Sequence, residues 1–203
     1  MVIIIHENNE WISPFETAFQ KLNIDYQIWY VPDMSLDLSA IPPDAVYWNR
    51  MSASSHTRGH RYEPELVAGI LAWLERHNRT VVNGPAALDI EISKMRQYQR
   101  LEQFSIKTPK TFCAISKEHL ASGAAGIGFP LITKHNRAGK GLGVRKFDNE
   151  AALQNYLNSD DFEESPNGVT LLQEYIDAPT ASIFRMEFVN GTFLYAVEVD
   201  TSQ

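Results

Sequence analysis

The chain has 203 residues, of which 44% are hydrophobic and 21% charged, a composition typical of a globular protein with a sizeable core. Its net charge of −7 and pI near 5.4 argue against a nucleic-acid partner, because binding to a phosphate backbone needs a basic surface. No stretch approaches the roughly 20 apolar residues that a membrane-spanning helix needs, and the single cysteine, Cys113, excludes an internal disulfide.

The first 90 residues alternate apolar runs with helical patterns. Strands are predicted at residues 2–6, 26–31, 45–48 and 80–83, and helices after Ser13-Pro14 and over residues 63–78. The opening apolar run is too short for the core of a signal peptide and has no basic leader, so the cytoplasm is the expected compartment. Strands that alternate with helices in this way indicate an α/β layer on a mainly parallel sheet.

The pattern changes after about residue 90. Helices are predicted at residues 93–104, 116–124 and 149–157, an extended segment at 108–111, and strands at 131–135, 144–147 and 171–176. Two further strands, residues 182–189 and 192–199, are joined by Asn190-Gly191 and form a predicted antiparallel hairpin. We therefore expect an α/β domain over residues 1–90 and an α+β region with an antiparallel sheet over 91–203. Because the sequence stops on a strand that a domain would cover, truncation at the carboxyl end is expected.

The stretch KHNRAGKGLGVRKF, residues 134–147, combines glycines with cations. It lacks the spacing of a Walker A loop, and a dinucleotide-binding GxGxxG should open a helix, whereas a strand is predicted after Gly143. A glycine loop between two strands is a flap whose amides, with Lys140, can fold over phosphates. On this pattern alone, a mobile hairpin tip is an equally weighted alternative.

Lys134 lies inside an apolar strand, where an unpaired ammonium is costly to bury. At a strand period of two, it shares a face with Ile132 and points away from the face of Leu131, Thr133 and His135. A cation in such a position usually has an anionic partner. The sequence therefore predicts an anion beside Lys134.

In this order, the elements resemble the ATP-grasp superfamily, and in particular its RimK-like and glutathione-synthetase-like carboxylate–amine ligases. The resemblance rests on Val82-Asn83-Gly84 followed by Lys94, Thr108-Pro109-Lys110-Thr111, Phe129-Pro130-Leu131-Ile132-Thr133-Lys134, the loop over residues 138–143, Gln173-Glu174-Tyr175-Ile176 and Arg185. It covers nearly the whole chain. It implies a Rossmann-like pre-ATP-grasp domain over residues 1–90 and a truncated nucleotide-binding region over 91–203.

The resemblance also implies roles for individual residues. Lys94 and Lys134 would hold the nucleotide phosphates. The lid over the β- and γ-phosphates would be formed by Gly139, Lys140, Gly141 and Gly143. The hinge beside the adenine would be formed by Gln173, Glu174, Tyr175 and Ile176.

A third group of implied roles concerns the reaction itself. Arg185 matches a catalytic arginine of the family, although Ile183 stands where the family has aspartate. The family's magnesium ligands are expected beyond residue 203, so no metal ligand is assigned within the chain. Glu198 and Asp200 are interpreted as outward-facing strand positions.

A polar segment, residues 49–60, follows a predicted strand end, which is where ligands bind in open α/β sheets. Its cations could receive an acidic substrate, and the candidate residues are Arg50, His56, Arg58 and His60. A solvated surface loop has roughly equal weight as an interpretation.

The resemblance implies an ATP-dependent ligase that joins a carboxylate to an amine through an acylphosphate. Its cofactors would be ATP and Mg²⁺, and its substrates small carboxylates and amines such as amino acids, with no nucleic acid and no membrane as partner. These 203 residues alone are expected to turn nothing over, and self-association is left open. Two alternatives remain, a non-catalytic ATP-binding module and an interaction domain whose melting temperature does not respond to ATP.

Overall fold

The structure is a computed structural model that describes residues 1–139 and 141–201. Lys140, which was predicted to lie on the lid, is outside the described residues, as are Ser202 and Gln203. The helices are α1 (Ser13–Lys21), α2 (Glu63–Arg76), α3 (Pro85–Glu91), α4 (Lys94–Gln103), α5 (Lys117–Ile127) and α6 (Glu150–Leu157). Among the described residues, no helix combines the length and the apolar character needed to span a bilayer.

The strands form three sheets. They are β1 (Val2–His6), β2 (Tyr26–Tyr30), β3 (Val46–Asn49), β4 (Thr80–Val82), β5 (Thr111–Ala114), β6 (Leu131–His135), β7 (Arg145–Phe147), β8 (Thr170–Glu174), β9 (Ser182–Val189) and β10 (Thr192–Asp200). The first sheet has the order β2-β1-β3-β4 and is parallel throughout. The second has the order β5-β8-β6-β7 and is antiparallel, and β9 and β10 form an antiparallel hairpin. The predicted fold class is confirmed.

Each of the two larger sheets has its own buried cluster. In the first, Ile3 and Ile5 of β1 pack with the apolar face of α2, which includes Ile70 and Leu74. In the second, Leu131 and Leu172 pack with α5 and α6. The two clusters fit the predicted division near residue 90, although the boundary itself stays a prediction.

Several elements differ from the sequence interpretation, most of them by one to three residues at an end. Helix α3 was missed, because Gly84-Pro85 was interpreted as the end of a strand, whereas proline here opens a helix at its first position. Strand β5 begins where the predicted extended segment ends, at Thr111. Strand β8 ends at Glu174, so the last two hinge residues lie outside it.

Candidate active site

The two predicted phosphate-binding lysines come together between α4 and the second sheet. Lys94, the first residue of α4, donates from Nζ to the backbone carbonyl of Ala138. Lys134 of β6 donates from Nζ to Oε1 of Gln173 at 3.0 Å. Burial lowers the pKa of Lys94, and the positive charge of Lys134 lowers it further. Two like charges held this close form a site that favours a polyanion.

The partner of Lys134 is not the anion that the sequence predicted. It is the neutral side-chain amide of Gln173, and within residues 1–139 and 141–201 neither Lys94 nor Lys134 forms a salt bridge. Because an amide satisfies the ammonium group without cancelling its charge, both lysines keep their charge for a ligand.

The glycine loop begins three residues after β6. Gly141 and Gly143 have φ angles of 75° and 69°, in the region that other L-residues rarely adopt. The Thr133 hydroxyl donates to the carbonyl of Gly143 at 3.3 Å, and this end of the loop lies against the buried ring of His135. At the other end, Arg137 is buried and its guanidinium pairs with Glu65 at 2.8 Å, so that end of the loop is anchored to α2.

We expect Gly143→Ala to lower the free energy of unfolding by about 2 kcal/mol, since it combines a left-handed backbone with an overpacked contact. A Cβ atom at Gly143 would lie 2.3 Å from the His135 ring. Gly141→Ala is the matched control, because it has the same backbone conformation but open space around the added atom. Urea denaturation of both variants measures the difference, and equal stabilities would contradict the packing of the loop against His135.

The predicted hinge has two parts with different surroundings. Gln173 is buried within β8, whereas Tyr175 and Ile176 are 37% and 63% exposed. The Glu174 carboxylate accepts a hydrogen bond from the Lys110 amide at 2.8 Å, and the Tyr175 amide donates to the carbonyl of Pro130 at 3.1 Å. In the described chain, the Ile176 amide makes no hydrogen bond. A ligand edge that carries an acceptor could therefore bind there.

A cleft of about 890 Å³ opens beyond the ends of β3 and β4. Of the four candidate substrate-binding residues it contains Arg50, together with the predicted catalytic residue Arg185. Its other polar lining includes Asn49, Ser52, Asn83, Glu91 and Glu187. The parallel sheet and the β9–β10 hairpin thus bring residues 135 positions apart to one cavity.

Arg50 is a cation without an acidic partner in the described chain. Its guanidinium lies 4.6 Å from the centroid of the Phe15 ring and 5.0 Å from that of Trp48. These rings fix its orientation while leaving its N–H donors free. Burial lowers the pKa of Arg50, so the charge has been partly desolvated. Arg185 is more exposed, and its Nε pairs with Glu187 at 3.1 Å.

The structure places Arg58 and His56 elsewhere. The Arg58 guanidinium binds both oxygens of the Glu7 carboxylate, at 2.9 and 2.6 Å, and the Glu7 side chain is 1% exposed. His56 lines a separate cavity with His135 and Leu142, and burial lowers its pKa. His60 bonds to Glu63 at 3.0 Å. Of the four candidates in the segment, Arg50 is the one that lines the cleft.

Sequence reasoning missed two acidic residues, Glu7, which pairs with Arg58, and Glu91, which lines the cleft. Glu7 directly follows the buried strand β1, and an acidic residue there could have been recognised as needing a cation. Glu91 lies at the end of α3, the helix that was missed. It lines the cleft, and its negative charge also acts on Lys94, where it opposes the lowering of the pKa. The cleft and the lysine pair are therefore neighbours.

No metal centre is found in the described part of the chain. No three histidine, cysteine, aspartate or glutamate side chains are grouped there in a way that could hold a metal ion. The residues present thus do not provide the carboxylate set that a nucleotide-bound Mg²⁺ requires.

Comparison with known proteins supports the resemblance. No family model matches the chain. The arginine-specific large chain of carbamoyl phosphate synthase from Bacillus subtilis is 29% identical over 96 residues, which are 47% of this chain and 9% of that protein. Alpha-aminoadipate–LysW ligase LysX from Sulfolobus acidocaldarius is 30% identical over 110 residues, 54% of this chain and 40% of LysX. The chain thus spans less than half the length of either relative.

Comparison with a solved structure identifies the fold of this chain. The ATP-grasp RimK domain protein from Sphaerobacter thermophilus superposes with a TM-score of 0.66 at 18% identity, covering 91% of this chain and 67% of that one. The chain has an ATP-grasp fold. The resemblance inferred from the ordered lysines, glycine loop and hinge is confirmed at the level of the fold.

Proposed function

We propose that this ATP-grasp chain binds ATP at the pair Lys94 and Lys134 and functions in an ATP-dependent carboxylate–amine ligase. The observation that carries the proposal is the position of Glu91, which interacts with Lys94 and also lines the cleft that holds Arg50 and Arg185. A cationic site for phosphates therefore adjoins a cationic site for a second anion. This is the arrangement that phosphoryl transfer to a carboxylate needs.

In the proposed reaction, Lys94 and Lys134 hold the triphosphate and the glycine loop covers it. The adenine lies along the hinge, where the free Ile176 amide can donate to a ring nitrogen. Arg50 and Arg185 orient the substrate carboxylate. A carboxylate oxygen attacks the γ-phosphorus as the bond to ADP breaks, and an amine then attacks the acyl carbon of the acylphosphate and releases phosphate.

Magnesium would supply positive charge to the phosphates of such a nucleotide. Since the described residues offer no ligand set for it, no step is assigned to the metal. A small carboxylate and an amine, for example amino acids, are the proposed substrates. Support comes from LysX, whose name describes a ligase that acts on alpha-aminoadipate and LysW.

A non-catalytic ATP-binding module is the second candidate. Two observations favour it: the described residues hold no metal ligand set, and Ile183 occupies the position of the family's aspartate before Arg185. The two functions differ in one measurable product, because only a ligase forms ADP in a substrate-dependent way.

The test measures ATP-dependent phosphate release by the complete gene product with a panel of carboxylates and amines. We expect release that requires both substrates, and Arg50→Ala should raise the KM for the carboxylate roughly tenfold, as for one lost charged hydrogen bond, with the KM for ATP unchanged. Arg61→Ala removes a cation outside the cleft and serves as the control. ATP binding without phosphate release would favour the non-catalytic ATP-binding module. A melting temperature that does not change when ATP is added would favour an interaction domain.

A further inference from the structure

Two buried amide side chains join the helix that carries Lys94 to the strand that carries Lys134. They are Asn136, just after β6, and Gln173 in β8, which are 4% and 3% exposed. Neither amide touches the other, and each bonds to groups on α4. Together they fix the separation of the two ammonium groups.

Gln173 uses both N–H donors and the oxygen of its side-chain amide. Oε1 accepts from Lys134 Nζ at 3.0 Å, while Nε2 donates to the hydroxyl oxygens of Tyr98 and Thr111, both at 2.9 Å. The Tyr98 bond reaches α4, and the Thr111 bond reaches β5. The amide is held from two sides, so its oxygen is directed at Lys134.

Asn136 makes the matching connection at the start of α4. Its Oδ1 accepts from the Ser93 hydroxyl at 3.2 Å and from the Met95 amide at 3.0 Å. Its backbone carbonyl accepts from the Lys94 amide at 3.1 Å. The first turn of α4 is thereby capped by a residue two positions after Lys134.

We propose that Gln173 and Asn136 are positioning residues for the lysine pair, and that their neutrality is what the site requires. The inference rests on the proposed function, in which Lys94 and Lys134 hold phosphates. A carboxylate at either position would keep the same accepted hydrogen bonds. At position 173 it would also place a negative charge beside the Lys134 ammonium group, and at position 136 within the first turn of α4, which carries Lys94. Either charge would oppose binding of the nucleotide phosphates.

The first test is Gln173→Glu, with ATP affinity measured by calorimetry at pH 8. We expect the affinity to fall roughly 10- to 100-fold, the range for a charged hydrogen bond that has been lost. Gln103→Glu is the matched control, because it makes the same change at the exposed end of α4, where Gln103 bonds to Arg100. That control should bind ATP within threefold of the unmodified chain.

The neutral variant Gln173→Met distinguishes a charge effect from a packing effect. It removes the acceptor without adding a charge, whereas Gln173→Glu adds a carboxylate that the adjacent Lys134 ammonium group keeps ionised at pH 8. ATP affinity should therefore fall further in Gln173→Glu than in Gln173→Met. Equal affinities for the two variants would overturn the proposal.

Asn136→Asp keeps the test decisive if Gln173→Glu does not fold. Aspartate caps a helix as well as asparagine does, and its charge at the start of α4 is favourable to the helix dipole. A purely structural role therefore predicts unchanged or higher stability and unchanged ATP binding. Our proposal predicts the same stability with ATP affinity roughly tenfold lower, because the new charge lies at the first turn of α4, which carries Lys94.

Lys134→Met separates failure of this inference from failure of the proposed function. When Gln173→Glu is added to the Lys134→Met variant, ATP affinity should fall less than threefold, because the positive charge that the new carboxylate would neutralise is absent. If Lys134→Met weakens ATP binding but Gln173→Glu does not, the positioning role is overturned and the nucleotide site stands. If Lys134→Met leaves ATP affinity within threefold, the proposed function itself fails.

Discussion

We expect Arg58→Ala to lower the free energy of unfolding by about 3 kcal/mol, the lower end of the range for breaking a buried ion pair. The loss arises because Glu7, whose side chain is 1% exposed, would be left as an unpaired charge in the interior. The lower end applies because the Arg58 side chain is itself 22% exposed and water can reach its position. Urea denaturation at neutral pH measures the difference.

Arg50→Ala is the matched control for this prediction. It removes the same side chain from the same segment, but Arg50 contacts two aromatic rings and no carboxylate. Its loss should cost about 1 kcal/mol, as for an interaction between a cation and aromatic rings. The two variants should have the opposite order of effect on substrate binding. Arg50→Ala should raise the KM for the carboxylate substrate, and Arg58→Ala should leave it unchanged. A stable Arg58→Ala variant with a raised KM would show that Arg58 serves the substrate after all.

The double variant Glu7→Met, Arg58→Met examines the cause of the instability. Replacing both members of a buried pair by apolar side chains is often neutral, because it removes the cost of desolvation together with the attraction. We therefore expect the double variant to be more stable than Arg58→Ala. An equally unstable double variant would mean that the contacts of the Arg58 stem, rather than its charge, stabilise the segment.

The elements that the sequence predicts best are those with a continuous apolar signal. Strand β1 begins and ends at the predicted residues, since it is a short apolar run that burial on both faces requires. Helix α3 was missed because Gly84-Pro85 is compatible with both the end of a strand and the start of a helix. Only packing against α2 and α4 distinguishes these two outcomes.

The candidate site also combines features that the sequence predicts with features that it does not. The order of lysines, glycine loop and hinge is a property of the sequence, and the roles of these residues toward a nucleotide stay predictions. The partners of the charged residues are not such a property. Glu7 and Arg58 are 51 positions apart, and the pairing of Lys134 with Gln173 depends on which residues of β6 and β8 face each other. The sequence shows that Lys134 and Gln173 are polar residues in apolar strands. It does not show that they form a hydrogen bond.

Lys134→Met should weaken ATP binding by about 1.5–3 kcal/mol, because it removes a charged donor from the phosphates while keeping the apolar stem. It should also change the pH dependence. The positive charge of Lys134 contributes to the lowered pKa of Lys94, so its removal lets that pKa rise. Lys94 binds phosphate as an ammonium group, and ATP affinity falls as the pH rises through its pKa. In Lys134→Met, this fall should begin at higher pH.

Calorimetry with ATP between pH 7 and pH 10 measures both effects of Lys134→Met. Lys21→Met is the control, since Lys21 is an exposed cation at the end of α1. It should leave the affinity and its pH dependence unchanged. If Lys134→Met weakens ATP without moving the pH at which affinity falls, the two ammonium groups do not interact. If it does neither, Lys134 does not face the nucleotide.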